Sequence, residues 1–226
     1  MKRFELLIGL TAKKGKGYKK KLYDINKHNI KRIALFIEEI KPKKRKKLYK
    51  LLEKSCVKEI PLVHIRDDTT KDELKYLKNK YKTKYFTIHE HNFNNLKIWK
   101  NYYKNLYLEF NYDDYIPKKV NIDKIAGFCI DISHFKASME RFTKELIYII
   151  SKRNKNIFNC NHINGFDGKK LRDKHHIKSI KDFDYIKTVP NFIFGKTVAL
   201  EMYNSIEDQL KYKKYLEKVL TKKLDK

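Results

Sequence analysis

The chain has 226 residues, and its hydrophobic content of 41% with 13% aromatic residues excludes a wholly disordered protein in spite of the high charge. No apolar run approaches the roughly 20 residues of a membrane span. We expect no signal peptide, and three cysteines without a CxxC pair favour a cytoplasmic protein over a secreted one. The formal charge of +27 permits a nucleic-acid partner without establishing one, because nearly all of the 54 basic residues are lysines.

Short apolar segments recur along the chain and predict eight buried strands. Most are too short for helices and too apolar on both faces for an exposed antiparallel sheet, which favours parallel strands. The segments are 4–10, 32–37, 60–65, 84–89, 105–110, 126–131, 156–162 and 197–202.

Between the apolar segments, apolar residues recur at helical spacing. Helices are predicted at 41–55, 70–81 and 135–152, and a last helix begins after Ser205. Strands that alternate with helices indicate βαβ units, and eight of them predict an α/β protein with a compact (β/α)₈ TIM barrel of short loops. We expect one domain over 1–226, with an open doubly wound sheet as the rival architecture.

The connection 163–196 is the longest between predicted strands, so we expect it to carry a functional element.

The predicted strands end in metal-binding residue types. In a (β/α)₈ barrel the active site lies at the C-terminal ends of the strands. Asp131 on its own is also a good N-cap for the following helix. For the set, a metal centre is the better interpretation. The residues at this end are His64, His89, Glu109, Asp131, His162 and Glu201, with His134 three positions after Asp131.

Imidazole and carboxylate groups bind Zn²⁺, Mn²⁺ or Fe²⁺, and this number of ligands exceeds what one tetrahedral ion needs. We therefore expect two to three ions, with Zn²⁺ as the first candidate and Mn²⁺ as the second. Clustered metal ions are typical of phosphate-ester cleavage.

The strand-end motifs resemble those of the endonuclease IV family of apurinic/apyrimidinic endonucleases (family 2), within the xylose-isomerase-like TIM barrel superfamily. The long connection contains GFDGKKLRDKHHIK (165–178), which is similar to the family's Asp-x-His loop motif through Asp173 and His175. The strand motifs stand in the family's order as RIALFI, PLVHI, YFTIH, LYLEFN, GFCIDISH, NCNHING and VALEM.

The resemblance implies three metal positions and a substrate. It implies cleavage of DNA 5′ to an abasic site by a hydroxide bridging two ions, with Glu109, Asp131 and Glu201 at the catalytic centre and the third ion at the leaving 3′-oxygen. One ion takes His64, His89 and Glu109; a second takes Glu109, Asp131, His162 and Glu201; the third takes His134, Asp173 and His175.

The chain also departs from the family. Its first strand ends in Leu10 and Thr11 where the family has a His, and His91 is an alternative to His89. The segments after His64 and His89 differ from the family's loops, which concerns recognition of the abasic nucleotide more than metal binding. Weak candidates for contacts with nucleic acid are Lys13, Lys14, Lys16 and Arg172.

The first functional hypothesis is a monomeric metal-dependent hydrolase acting on abasic or damaged duplex DNA. The alternative is a sugar or sugar-phosphate isomerase or epimerase of the same superfamily, which needs one divalent ion. A third hypothesis is a non-enzymatic binding protein on a decayed barrel. The isomerase set is Glu109, Asp131, His162 and Glu201, without Asp173 and His175.

Overall fold

Eight parallel strands close into a barrel in the computed structural model, which describes residues 4–225. Neighbours in sequence pair in turn from β1 to β7, and the last strand, β10, pairs with both β7 and β1. The barrel strands are β1 (Glu5–Leu10), β2 (Arg32–Phe36), β3 (Glu59–His64), β4 (Tyr85–His89), β5 (Leu106–Glu109), β6 (Gly127–Asp131), β7 (Phe158–Ile163) and β10 (Thr197–Leu200). The predicted (β/α)₈ barrel is confirmed, and the open sheet is wrong.

Helices and 3-10 segments surround the barrel. The α-helices are α1 (Tyr18–Lys27), α2 (Pro42–Glu53), α3 (Lys71–Tyr81), α4 (Ile132–Arg141), α5 (Lys144–Ser151) and α6 (Ile206–Leu224). The 3-10 segments are Lys13–Gly15, Glu90–Asn105, Ile122–Lys124, Ile180–Thr188 and Asn191–Ile193. None of the helices within residues 4–225 is long and apolar enough to cross a membrane.

Three predicted helices are confirmed with small shifts at their ends, and one prediction needs correction. Ser205 caps α6 by accepting a hydrogen bond from the Asp208 backbone amide. The predicted helix 135–152 is two helices, because Phe142 adopts a left-handed conformation with φ of 56° and ends α4. Moreover, α4 begins earlier than expected, directly after Asp131.

Inward-facing side chains alternate along each barrel strand with side chains that face the helices. The larger hydrophobic cluster includes the residues packed between strands and helices. Because strand side chains alternate with a period of two, the residue two positions after each inner residue also faces inward, nearer the C-terminal mouth. The inner layer consists of Leu7, Ala34, Phe36, Leu62, Tyr107, Cys129, Cys160 and Ala199.

The longest connection carries a small antiparallel hairpin, formed by β8 (Gly165–Asp167) and β9 (Arg172–Lys174). Asp173 lies within β9, whereas the sequence predicted no strand there. The hairpin holds Asp173 in its second strand, and His175 lies in the bend directly after it.

The first residue of β6 is Gly127, and the backbone conformation at this position requires a glycine. Its φ is 146°, and a Cβ there would lie 2.1 Å from the carbonyl oxygen of Ile157.

We predict that Gly127→Ala lowers the free energy of unfolding by on the order of 2 kcal/mol, through strain and steric clash. Denaturant unfolding measures this. Gly168→Ala is the matched control, because its Cβ would lie 4.0 Å from the nearest atom, a ring carbon of Phe166. Equal stability of the two variants would contradict the prediction.

Candidate metal centre at the barrel mouth

The strand-end residues meet at the C-terminal mouth because each continues the inward-facing row of its strand. Glu109 follows Tyr107 by two positions on β5, and the same spacing holds for the site residues of β3, β6, β7 and β10. Five of the predicted site residues are almost fully buried there: His64 (2% exposed), Glu109 (1%), Asp131 (2%), His162 (0%) and Glu201 (6%).

Glu109 lies at the centre of the first group of candidate ligands. Its Oε2 is 2.8 Å from Nδ1 of His162 and 3.6 Å from Nδ1 of His64. Nδ1 of His162 is also 3.3 Å from Oε2 of Glu201. Two ligand atoms bound tetrahedrally to one Zn²⁺ lie about 3.4 Å apart, so these separations suit a shared ion. All four ligand atoms lie within 4.8 Å of one another.

Several of these atoms are buried without a hydrogen-bond partner in the described part of the chain. They include both ring nitrogens of His64, Nδ1 of His162 and Oε2 of Glu109. The close contact between His162 and Glu109 therefore lacks hydrogen-bond alignment. Burying polar atoms without partners is costly, and a bound cation removes that cost. The four residues thus fit a divalent transition-metal ion.

Burial and neighbouring charges set the protonation states of His64 and Glu109. It lowers the pKa of His64 to about 3, so the imidazole is neutral and keeps a lone pair for a metal. Burial alone would raise the pKa of Glu109, but His162 holds it well below its usual value. A neutral imidazole beside an ionised carboxylate is a suitable pair of ligands for Zn²⁺ or Mn²⁺.

Glu109 also belongs to a second group of candidate ligands, with Asp131 and His134. Asp131 has the capping role considered from the sequence, and its position beside Glu109 makes it a candidate ligand. Its Oδ1 caps α4, accepting hydrogen bonds from the backbone amides of Ser133 (2.8 Å) and His134 (3.0 Å). Its Oδ2 accepts from Nδ2 of Asn164 at 2.8 Å. With a further bond that Oδ1 accepts from the Ser133 hydroxyl at 2.7 Å, they fix the carboxylate beside Glu109 and leave a lone pair of Oδ2 for an ion.

Asp173 and His175 reach the same end of the barrel but contact each other. Nε2 of His175 is 2.9 Å from Oδ2 of Asp173, and Nδ1 of His175 is 3.2 Å from the carbonyl oxygen of Glu201. The Tyr112 hydroxyl donates to Oδ1 of Asp173, and the Tyr112 ring packs against His134 with centroids 4.8 Å apart. Burial opposes protonation, but the bond to Asp173 raises the pKa of His175 to about 10. The two residues form an ion pair beside His134 rather than a set of free ligands.

His89 lies at the edge of the centre. Its ring centroid is 4.8 Å from that of His64, and its Nδ1 is 3.9 Å from Oε2 of Glu90. It belongs to neither group of converging ligands within residues 4–225. His91, the alternative to His89, is exposed.

Sequence reasoning missed Glu38 and Asn164. Glu38 follows the inner-layer residue Phe36 by two positions, which is the spacing of the other site residues. The predicted strand ended at Ile37, so Glu38 was not among the strand-end residues considered. Asn164 follows β7 and binds Asp131, a contact that no local pattern predicts.

The predicted basic contacts lie on connections at the mouth. Lys13, Lys14 and Lys16 lie in or beside the 3-10 turn that follows β1, and Arg172 begins β9. Nζ of Lys13 is 5.7 Å from the Tyr203 ring centroid. Their contact with nucleic acid stays a prediction.

Comparison with known proteins supports the fold but no particular family. No family model and no curated protein matches the sequence. Among solved structures, a "D-tagatose 3-epimerase-like protein" is similar, with a TM-score of 0.54 and 17% identity over 95% of this chain and 97% of that chain. At this identity the likeness establishes a shared barrel fold, and it does not point to endonuclease IV in particular.

A bound metal ion should stabilise the folded chain. With Zn²⁺ or Mn²⁺ at about 100 times its Kd, we predict stabilisation of about 2.7 kcal/mol, or a Tm increase of about 5–10 °C, over the chelator-treated protein. Glu109→Gln should remove most of this increase, because Glu109 is shared by both ligand groups. Differential scanning calorimetry with and without metal measures it.

Glu140→Gln is the control, since Glu140 is exposed and pairs with Lys136 on α4. An unchanged metal response in Glu109→Gln would contradict the assignment.

Proposed function

We propose that the chain is a metal-dependent phosphodiesterase that acts on nucleic acid at the barrel mouth. The observation that carries this proposal is Glu109, whose carboxylate belongs to two adjacent groups of buried ligands. One group contains His64, His162 and Glu201, and the other contains Asp131 and His134. A carboxylate between two ligand groups is suited to bridging two ions, an arrangement typical of phosphate-ester cleavage.

Divalent ions held by these ligands would activate water and neutralise charge on the phosphate. The chain's own residues supply the framework. Asn164 and the start of α4 hold Asp131 in place. The hairpin β8–β9 brings Asp173 and His175 to the same mouth, beside His134 and Tyr112.

The charge of the chain supports a polyanionic substrate. A net charge of +27 draws DNA or RNA to the surface through contacts with phosphates, which are largely independent of sequence. The abasic site as the preferred lesion rests on the resemblance of the strand-end motifs to endonuclease IV alone.

A sugar isomerase or epimerase is the second candidate, and the structural comparison gives it more support than it gives the phosphodiesterase. The similar barrel is titled "D-tagatose 3-epimerase-like", and its fold extends over nearly all of both chains. A one-ion enzyme of this kind needs Glu109, Asp131, His162 and Glu201, all of which lie at the mouth. It has no need of His64, His134, Asp173 or His175.

The Asp-x-His hairpin separates the two candidates. We predict that the double variant Asp173→Ala with His175→Ala lowers turnover on an abasic-site duplex by roughly 100-fold or more, because it removes groups that stabilise charge on the leaving oxygen. Affinity for the duplex should change only a few-fold, since it rests mainly on Lys–phosphate contacts. Single-turnover cleavage and equilibrium binding of a labelled duplex measure the two effects.

The matched control is His176→Ala with Asp184→Ala, because both residues are exposed and lie on the same connection. The control should retain wild-type turnover. The phosphodiesterase proposal fails if the wild-type chain leaves intact, abasic and oxidised substrates uncut with Zn²⁺, Mn²⁺ and Mg²⁺. Interconversion of ketose and aldose sugars, or of two epimers, would then establish the second candidate.

A further inference from the structure

We propose that Glu38 is an additional metal ligand of this centre, joining His64 on the side of the barrel formed by β2 and β3. The inference rests on the metal centre of the proposed function, and neither the resemblance to endonuclease IV nor the isomerase set includes this residue. Glu38 lies in the turn that follows β2, two positions beyond the inward-facing Phe36, and its carboxylate lies near His64 at the mouth.

The carboxylate is aimed at the centre and lacks a partner. Oε2 of Glu38 is buried without a hydrogen-bond partner within residues 4–225, and it lies 4.0 Å from Nδ1 of His64. Both ring nitrogens of His64 are unpartnered as well. The backbone carbonyl of Glu38 accepts a hydrogen bond from Nη1 of Arg66 at 3.0 Å, which holds the segment in place. Two buried ligand atoms that face each other without a hydrogen bond are in a position to share a cation.

The surrounding charge supports the same conclusion. The charge of Glu201 acts on Glu38, and no lysine or arginine in the described chain forms an ion pair with this carboxylate. Glu109 adds a further negative charge. Several carboxylates in one buried site repel each other unless a cation joins them, and a divalent ion is the cation that their ligand types select.

The distance is close to what coordination requires. Ligand atoms on one tetrahedral Zn²⁺ lie about 3.4 Å apart, so a small rotation of the Glu38 side chain closes the gap to His64. The Glu38 carboxylate and the His64 imidazole would bind the ion near β3. Glu109 would be shared between this ion and its neighbour. Glu38 would thus occupy the side of the mouth where β1 ends in Leu10 and Thr11, which are poor ligands.

Glu39 provides a matched control. It is the next residue along the chain, and its carboxylate accepts hydrogen bonds from the Tyr203 hydroxyl at 3.4 Å and from the Lys14 backbone amide. It therefore has partners outside the ligand groups.

The experiment compares wild type, Glu38→Gln and Glu39→Gln by competition titration of Zn²⁺ and by the visible absorption spectrum of the Co²⁺-loaded protein. We expect Glu38→Gln to weaken the affinity of at least one ion by about 10-fold or more and to change the Co²⁺ spectrum, because the coordination of that ion changes. Glu39→Gln should match wild type in both. Glu38→Asp, which keeps a shorter carboxylate, should give an intermediate affinity.

Folding is checked by melting each variant without metal, where Glu38→Gln should be at least as stable as wild type because Glu109 and Glu201 do not repel a neutral amide. Wild-type affinity and spectrum in Glu38→Gln would overturn the inference while leaving the metal centre intact. Equal losses in Glu38→Gln and Glu39→Gln would also overturn it, since they would indicate a general effect of charge at the rim. Failure of the wild-type chain to bind any ion would overturn the metal centre itself.

Discussion

The burial of Glu109 is the constraint on which the rest of the mouth depends. An ionised carboxylate that is 1% exposed at the end of an apolar strand needs positive charge or hydrogen bonds around it. Strands β3 and β7, each two places from β5 in the barrel, supply imidazoles from His64 and His162. Within residues 4–225, both imidazoles keep a ring nitrogen without a hydrogen-bond partner. Candidate ligand atoms thus converge at one point, and several of them have no hydrogen-bond partner within the described residues. This is the arrangement expected of a site built for metal ions rather than for a structural ion pair.

Most of the barrel was predictable because its determinants are local. Short, fully apolar segments separated by amphipathic ones predict parallel strands and helices, and their number predicts closure. The location of the candidate site was predictable from the same strands, since their C-terminal ends share one mouth. Thus Glu109, Asp131, His162 and Glu201 were identified from the strand ends, and their convergence is visible in the structure. The identity of the substrate has no comparable local signal.

The remaining features depend on contacts between distant segments. Tyr112 and Asp173 are hydrogen-bonded although 61 residues separate them, and Asn164 binds Asp131 from the next strand along the chain. No periodicity in the sequence indicates such pairs. The break between α4 and α5 depends on the left-handed conformation of Phe142, a residue type that seldom adopts it. Glu38 was missed because it lies in the turn after β2, outside the predicted strand.

A barrel fold hosts many reactions, so the function must be argued from the mouth rather than from the fold. The ligand groups around Glu109 support metal chemistry under both candidate functions. In their demands on these ligands, the two functions differ only in the number of ions required. Anomalous X-ray scattering at the absorption edge of the bound metal, from crystals of the reconstituted protein, tests this most directly. We expect anomalous peaks adjoining the Glu109 carboxylate, one of them between His64 and His162. Full metal loading with no peak within coordination distance of Glu109 would contradict it.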